Sequence, residues 1–549
     1  MGIKTKGKKV ALISVFNKSG IEEFARALVD IGWFIFSSGG TAKTLAKAGI
    51  PVTDVAELVG GAAILGHRVV TLSREVHAGL LARQIPEDDM EMAKLGLPYI
   101  DMVVCDFYPM KDIIAKPGAT IASVVEMTDI GGPTMVRSAA KGGRIVICDA
   151  ADRQWVFDEL KANDGKLTPE HLQWMRAKAE ITVANYCLNS ARFHSKGKFD
   201  GIIGQEKAPC KYGENPYMTP AAFFTTGSND PLAIDKFKLV QGTDPSFINY
   251  TDIDRLLQTI THIAAGFDLN FGKMPFIGTG VKHGNPCGAA VGNDPELVIE
   301  EMVMGDHLAV FGGFVMFNFE LTAKLVEILL TTNMPDDKRL LLDGVIAPSI
   351  TTEAIEMLKR KQDKCRILIN PALANLDKDS LDKAERIRPV RGGFLKQPNY
   401  TYILNLKDPQ LVITKGKNLH DQWAPSEEDN EDLILAWAVG CTSNSNTSTL
   451  AFQGQLLGNG VGQQSRVASC QVAIFRAKAA DHITRSSIAY TDSFFPEPDG
   501  PEELAKAGIS IVFASSGSVK DEIVRAKCQE LGITIVQLPD KVCRGFFGH

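Results

Sequence analysis

The chain has 549 residues, 45% of them hydrophobic and 23% charged, with a formal charge of -6. That length allows several domains whose cores need neither disulfides nor structural metal. The acidic balance argues against a dedicated nucleic-acid binder, which carries a basic surface, and no window supplies the ~20 apolar residues of a membrane span.

The opening Met1–Lys6 has neither a signal-peptide apolar region nor a myristoylation serine or threonine, so a cytoplasmic protein is expected. Lys9–Ser14 is a short apolar run, and Ile21, Phe24, Ala25 and Leu28 then recur at helical spacing. Trp33–Phe36 predicts a second strand, Ala42–Ala48 a helix, and Pro51-Val52 opens a third strand. Further strands are predicted at Met102–Cys105 and Arg144–Cys148, and a long helix at Pro169–Leu188. This alternation predicts an α/β fold with a parallel sheet. Ser195–Lys211 reads as a linker rich in Lys and Gly, which divides the chain into domains at 1–200 and 201–549. The second part again mixes strands and helices, with glycine turns at Gly278–Gly280, Gly312-Gly313 and Gly392-Gly393. Ser426–Asp432 reads as a solvated acidic loop. Near the end, a strand at Ile509–Phe513, a helix at Val519–Leu531 and a strand at Ile533–Leu538 repeat the local grammar of residues 33–55.

Ten cysteines are scattered without a C-x-x-C pair, so reduced thiols are expected and no metal site. Ser37-Ser38-Gly39-Gly40-Thr41 lies between a strand and a helix. Small residues there admit an anion to a helix N-terminus, although a plain capped turn has the same composition. Lys282-His283-Gly284-Asn285-Pro286-Cys287-Gly288 sets a cation beside a titratable imidazole among small residues; a surface Lys and a core His are the bland alternative. Lys211-Tyr212-Gly213-Glu214-Asn215-Pro216 could grip a phosphate and stack on a heterocycle, or be a polar turn. Arg466, after Gly462-Gln463-Gln464-Ser465, is a candidate phosphate or carboxylate clamp or a surface arginine. Asp492-Ser493-Phe494-Phe495-Pro496-Glu497-Pro498-Asp499 reads as core packing plus a turn, or as the lining of a flat-ring pocket.

In this order the motifs resemble the bifunctional AICAR transformylase / IMP cyclohydrolase of purine biosynthesis. Val76-His77-Ala78-Gly79, Asp129-Ile130-Gly131-Gly132, Arg137–Lys141, Phe311-Gly312-Gly313, Asp343-Gly344, Val390–Gly393, Ser445-Asn446 and His549 add to the likeness, which covers nearly the whole chain. The resemblance implies a methylglyoxal-synthase-like domain for ring closure at 1–200. It implies a transformylase of cytidine-deaminase-like α/β units at 201–549, dimeric and with sites shared between subunits. The implied reaction moves a formyl group from 10-formyltetrahydrofolate, a co-substrate, to the 5-amino group of AICAR. His283 would be the base, Lys282 the stabiliser of the oxyanion or proton donor to the leaving nitrogen, and Asn446 the orienting amide. Lys211, Tyr212, Asn249, Gly313, Asp343, Arg466, Phe494 and Asp499 would bind substrate. In the N-terminal domain the implied nucleotide site is Ser14, Lys18, Ser38, Gly39, Gly40, Thr41, Arg68, Tyr108, Asp129 and Lys141. The partners expected are these small molecules and a second copy of the chain, with no nucleic acid and no membrane.

Several positions depart from the family pattern. Lys211 stands where arginine is usual, Tyr217-Met218 where His-Gln is, and Glu497-Pro498 where Phe-Arg is. The cyclohydrolase motif Arg-Val-Lys-Thr-Leu-His-Pro reads Arg68-Val69-Val70-Thr71-Leu72-Ser73-Arg74. Valine offers neither charge nor proton, so ring closure is expected to be absent or much reduced, with the domain kept for nucleotide binding or packing. A zinc deaminase would need Pro-Cys-x-x-Cys, and Pro286-Cys287 is followed by Ala290. A non-catalytic relative is the other alternative, opposed by the presence of Lys282, His283, Asn446 and Arg466.

Overall fold

A computed structural model describes residues 5, 7–66, 68–417, 419 and 424–548. His549 and most of the N-terminal residues used above to argue against a leader lie outside them. The chain divides into two compact units, residues 1–203 and 204–549. Among the described residues no helix is long and apolar enough to cross a membrane.

The first unit is a five-stranded parallel sheet of β1 (Val10–Ser14), β2 (Phe34–Ser37), β3 (Thr53–Asp54), β4 (Met102–Cys105) and β5 (Ile145–Ile147), in the order β3-β2-β1-β4-β5. Its strands are short apolar runs buried on both faces, as a parallel sheet between helices requires. The helix predicted at 42–48 starts earlier, at Gly39–Lys47, because Gly39 (φ 52) turns the chain directly from β2 into the helix. The long helix runs Pro169–His194, beyond its predicted end at Leu188.

The second unit is built on a 12-stranded sheet that contains the same sequence of elements twice. In the first half an edge strand (Lys238–Gln241) leads into a long helix (Phe247–Phe271) and a hairpin (Phe276–Lys282, Asn285–Gly292). Strands Phe314–Phe317, Gly344–Ala347 and Arg366–Ile369 follow, separated by helices. The second half repeats this with edge strand Val412–Thr414, helix Glu427–Cys441, hairpin Ser448–Phe452 and Gln455–Asn459, and strands Ile488–Thr491, Ile511–Ser516 and Thr534–Pro539. In each half the hairpin, an antiparallel strand, two parallel strands and the antiparallel edge strand follow one another across the sheet. The halves meet where Ala290 pairs with Gln455. Their long helices also pack together, since a Cβ on Gly266 would lie 2.5 Å from Ile434.

Three readings of the sequence change here. The Ser195–Lys211 linker contains a strand, Gln205–Cys210, which pairs with Ala221–Thr225 in a separate hairpin and so shows no buried alternation. The acidic loop at 426–432 is the cap and first turns of the Glu427–Cys441 helix, with a Ser426/Asp429 capping box and Asp432 buried. Gly278 and Gly280 form no turn; they sit inside the Phe276–Lys282 strand, where the Phe317 ring and the Met302 sulfur leave 3.1–3.3 Å for a Cβ.

Candidate active sites

In the first unit the polar candidates gather at the carboxyl ends of β1, β2 and β4, where open α/β sheets bind ligands. Ser14 closes β1, and its hydroxyl lies 3.1 Å from that of Ser38. Ser38 precedes the Gly39–Lys47 helix but makes no side-chain capping bond, and Cβ atoms on Gly39 or Gly40 would meet open space. The Lys18 ammonium donates to the Thr41 hydroxyl at 3.0 Å. Burial lowers the Lys18 pKa below the usual lysine value, with Asp106 opposing. A cation, three hydroxyls and a helix N-terminus form a cradle for a phosphate-sized anion. Tyr108 stands edge-on to Phe16, ring centroids 5.4 Å apart. Asp129 sits at the start of the Gly131–Lys141 helix, accepts the Gly132 N–H at 2.8 Å, and has its carboxyl pushed up by burial.

Two residues of the implied nucleotide site are not brought into this cluster. Lys141 is in the last turn of the helix that Asp129 begins, so about ten residues of helical rise, roughly 15 Å, separate them. Arg68 is exposed and paired with Glu126. The altered motif has local structural uses. Val70 packs against the core that includes Leu12, Phe36 and Val103. The Ser73 hydroxyl caps the Arg74–Leu81 helix by accepting the Val76 N–H at 3.2 Å. Arg74, 77% exposed, pairs with its neighbour Glu75 at 3.5 Å, so it does not restore a cation to the cluster.

In the second unit Lys282 ends a strand and His283 occupies the hairpin turn. Both line a cavity of about 180 Å³ with Asn285, Cys287, Asp306, Asn459 and Arg476. The Lys282 ammonium donates to the Phe311 carbonyl at 2.6 Å. Gly313 lets the chain pass beside it, since a Cβ there would meet the Val281 carbonyl at 2.8 Å. Asp343 heads the adjacent strand, donates its N–H to the Gly313 carbonyl at 2.9 Å and pairs with Arg360 at 3.1 Å. Burial pushes the Cys287 thiol up to about 12, so it is a protonated thiol and a poor zinc ligand.

The loop holding Asn446 comes to the same sheet edge. Asn459, which the sequence reading missed, ties the two: its amide donates to the Pro286 carbonyl at 3.0 Å and the Ser443 hydroxyl at 2.9 Å. Asn446 donates to the Gln463 carbonyl at 3.0 Å and accepts from Arg466 at 3.0 Å. Arg466 is not a free clamp. Its guanidinium is buried, ion-paired with buried Asp492, and bonded to the Thr447 carbonyl at 2.8 Å. Asn249 is likewise occupied, forming a capping box with Ser246 at the start of the Phe247–Phe271 helix. Phe494 is half-buried and follows the strand that ends beside Asp492, while Asp499 is exposed at the start of the Asp499–Lys506 helix. Glu497 pairs with Lys520. Lys211 and Tyr212 follow the Gln205–Cys210 strand, with the ammonium 6.0 Å from the Tyr212 ring centroid.

The family model described as "AICARFT/IMPCHase bienzyme" matches residues 139–476, and one described as "MGS-like domain" matches residues 20–134. The bifunctional purine biosynthesis protein PurH of Bacillus cytotoxicus is 34% identical over 539 residues, covering 96% of this chain and 98% of that one. Its namesake from Bacillus mycoides is 34% identical over 541 residues with the same coverage. A solved structure titled "Crystal structure of ForH" is 32% identical, covers 34% of this chain and 100% of its own, and aligns with a TM-score of 0.32.

Proposed function

Because this chain belongs to the AICARFT/IMPCHase bienzyme family, we propose that it transfers a formyl group from 10-formyltetrahydrofolate to the 5-amino group of AICAR. The carrying observation is the Lys282-His283 pair at a rigid hairpin tip, lining a cavity into which Gly313 and Asp343 also converge. The substrate amine is a poor nucleophile, because its lone pair is conjugated with the imidazole ring and carboxamide. His283 takes its proton as nitrogen attacks the formyl carbon. The Lys282 ammonium stabilises the oxyanion that forms, or protonates the folate nitrogen as the carbon–nitrogen bond breaks. Asn446 orients the substrate's polar groups, and Arg466 holds Asn446 in place. Lys211, Tyr212 and Phe494 would supply nucleotide and ring contacts. The domains assigned to the two chemistries are residues 1–200 and 201–549.

A cavity of about 180 Å³ is smaller than the 300–1,000 Å³ typical of small-molecule sites. That supports a homodimer in which a second copy completes each site. The Arg386–Val390 and Gly393–Gln397 hairpin, with Phe394 and Leu395 exposed, suits such a contact.

In the first unit the cradle around Ser14, Lys18, Ser38 and Thr41 supports nucleotide binding. Val70 in the core, Ser73 as a cap and Arg74 in solvent support a ring-closure step that is absent or much slowed. An end-point assay with AICAR and 10-formyltetrahydrofolate tests both halves of the proposal. The expected product is the open formamide. Complete conversion to IMP would overturn the second half, and no formylation the first.

A further inference from the structure

The duplicated architecture sets one carboxylate against one turn twice. Asp252, sixth residue of the Phe247–Phe271 helix, accepts the Gly284 N–H at 2.7 Å. Asp432, sixth residue of the Glu427–Cys441 helix, accepts the Gly454 N–H at 2.7 Å and the Gln453 N–H at 2.8 Å. Both helices open with a capping box three residues before the carboxylate, Ser246/Asn249 and Ser426/Asp429. Both turns place two successive residues in the left-handed region: His283 (φ 55) and Gly284 (φ 69), then Gln453 (φ 50) and Gly454 (φ 80). Two left-handed residues in a row make the tight hairpin turn whose twist matches the flanking strands. It is strained at a side-chain-bearing residue, so an external anchor is needed to fix it. Both carboxylates are buried, at 5% and 4% exposure. The copies differ in what the turn carries: Lys282-His283 in one and Phe452-Gln453 in the other.

We infer that Asp252 is a positioning residue for formyl transfer, clamping the turn that aims His283, and that Asp432 is its duplicate around a turn without a base. This rests on the reading of His283 as the base. Asp252 does not touch substrate in this scheme; it acts through the backbone of Gly284. Arg255 on the same helix, His283 on the turn and Asp343 at the head of the adjacent strand are the charged or titratable groups that interact with it. The second copy supplies an internal control that few enzymes offer, because an equal structural lesion can be made where no imidazole is held.

The test uses the full-length enzyme and steady-state formyl transfer. Asp252→Ala is expected to lower kcat by ~10²-fold, the usual cost of a misplaced catalytic group, with KM for AICAR changed less than about threefold. Asp252→Asn keeps an oxygen for the Gly284 N–H and is expected to recover kcat to within about fivefold of wild type. Asp432→Ala loses two such bonds, and its thermal midpoint is expected to fall at least as far while kcat stays within about threefold. If the alanine variant of Asp252 does not fold, Asp252→Glu moves the acceptor by one methylene and is expected to lower kcat ~10-fold at constant KM. The inference is overturned if His283→Ala is inactive while Asp252→Ala or Asp252→Glu keeps wild-type kcat. It is equally overturned if Asp432→Ala loses kcat as Asp252→Ala does. An active His283→Ala would instead remove the underlying assignment of the base.

Discussion

The first and second units each assemble polar groups at one edge of a sheet, but they keep different parts of a catalytic site. At the edge of the five-stranded sheet the anion cradle is complete, with Lys18 reaching Thr41 and Ser14 facing Ser38. The positions from which chemistry would be driven have been taken over by packing and capping, at Val70 and Ser73. At the edge of the 12-stranded sheet the reverse holds. The base and its neighbouring cation are presented on a hairpin, while the one buried guanidinium nearby, Arg466, is committed to Asp492 and Asn446. Binding and catalysis are thus separable in residues, and losing one need not erode the other.

The sharpest way to break this contrast is at His283. Its replacement by alanine is expected to lower formyl-transfer kcat by ~10²–10⁴-fold, the range of a positioned general base. A residual rate within tenfold of wild type would place the chemistry elsewhere. Next is Arg466→Ala. Breaking one partner of a buried ion pair costs ~3–5 kcal/mol, so the thermal or denaturant midpoint should fall steeply. Because Arg466 holds Asn446, kcat should fall more than the affinity for AICAR. A selective loss of nucleotide affinity at unchanged stability would instead restore the phosphate-clamp reading.

Third, the contrast is sharpened by returning the missing groups to the first unit. Val70→Lys with Ser73→His is expected to raise ring closure of the formylated substrate by ~10²–10³-fold, the worth of a positioned electrostatic group. The exchange removes a core side chain and the Ser73 cap, so a stability loss of about 1–3 kcal/mol should accompany it. If the wild-type chain closes the ring as fast as the double variant, the proposed loss of function is wrong.

The parallel sheet was legible because its strands are unbroken apolar runs; Met102–Cys105 begins and ends where periodicity places it. The duplication in the second unit was not legible. Its two copies share topology and a few anchor residues, but the hairpin tips read Lys282-His283 and Phe452-Gln453, and no fixed-period motif connects them. The acidic stretch at 426–432 misled because composition alone cannot tell a capping box from a solvated loop; only the apolar residues from Leu433 onward mark the helix. Single residues were hardest. Arg466 looks the same in sequence whether its guanidinium meets a phosphate or Asp492, and Asn459 has no local signal at all, since its four partners come from three separate segments.

The smallest expected effect concerns pH and bears on the duplicated carboxylates. Burial pushes both Asp252 and Asp432 up to about 6, against backbone N–H bonds that pull them down. An unfolded aspartate titrates near ~3.9, so between about pH 4 and 6 the folded state binds more protons than the unfolded. The stability these groups contribute is therefore complete below about pH 4 and is lost as pH rises through about 6. With both side chains buried, the loss is on the order of 1–3 kcal/mol per group. Replacing Asp432 by Asn removes one titration without touching the Lys282-His283 turn. Unfolding midpoints measured from pH 4.5 to 7.5 should then change less with pH in Asp432→Asn than in wild type, by a few degrees at ~2–4 °C per kcal/mol. Parallel curves for the two proteins would mean that Asp432 is ionised throughout. The carboxylate at the base-free turn would then be held by its two N–H bonds more strongly than burial opposes it.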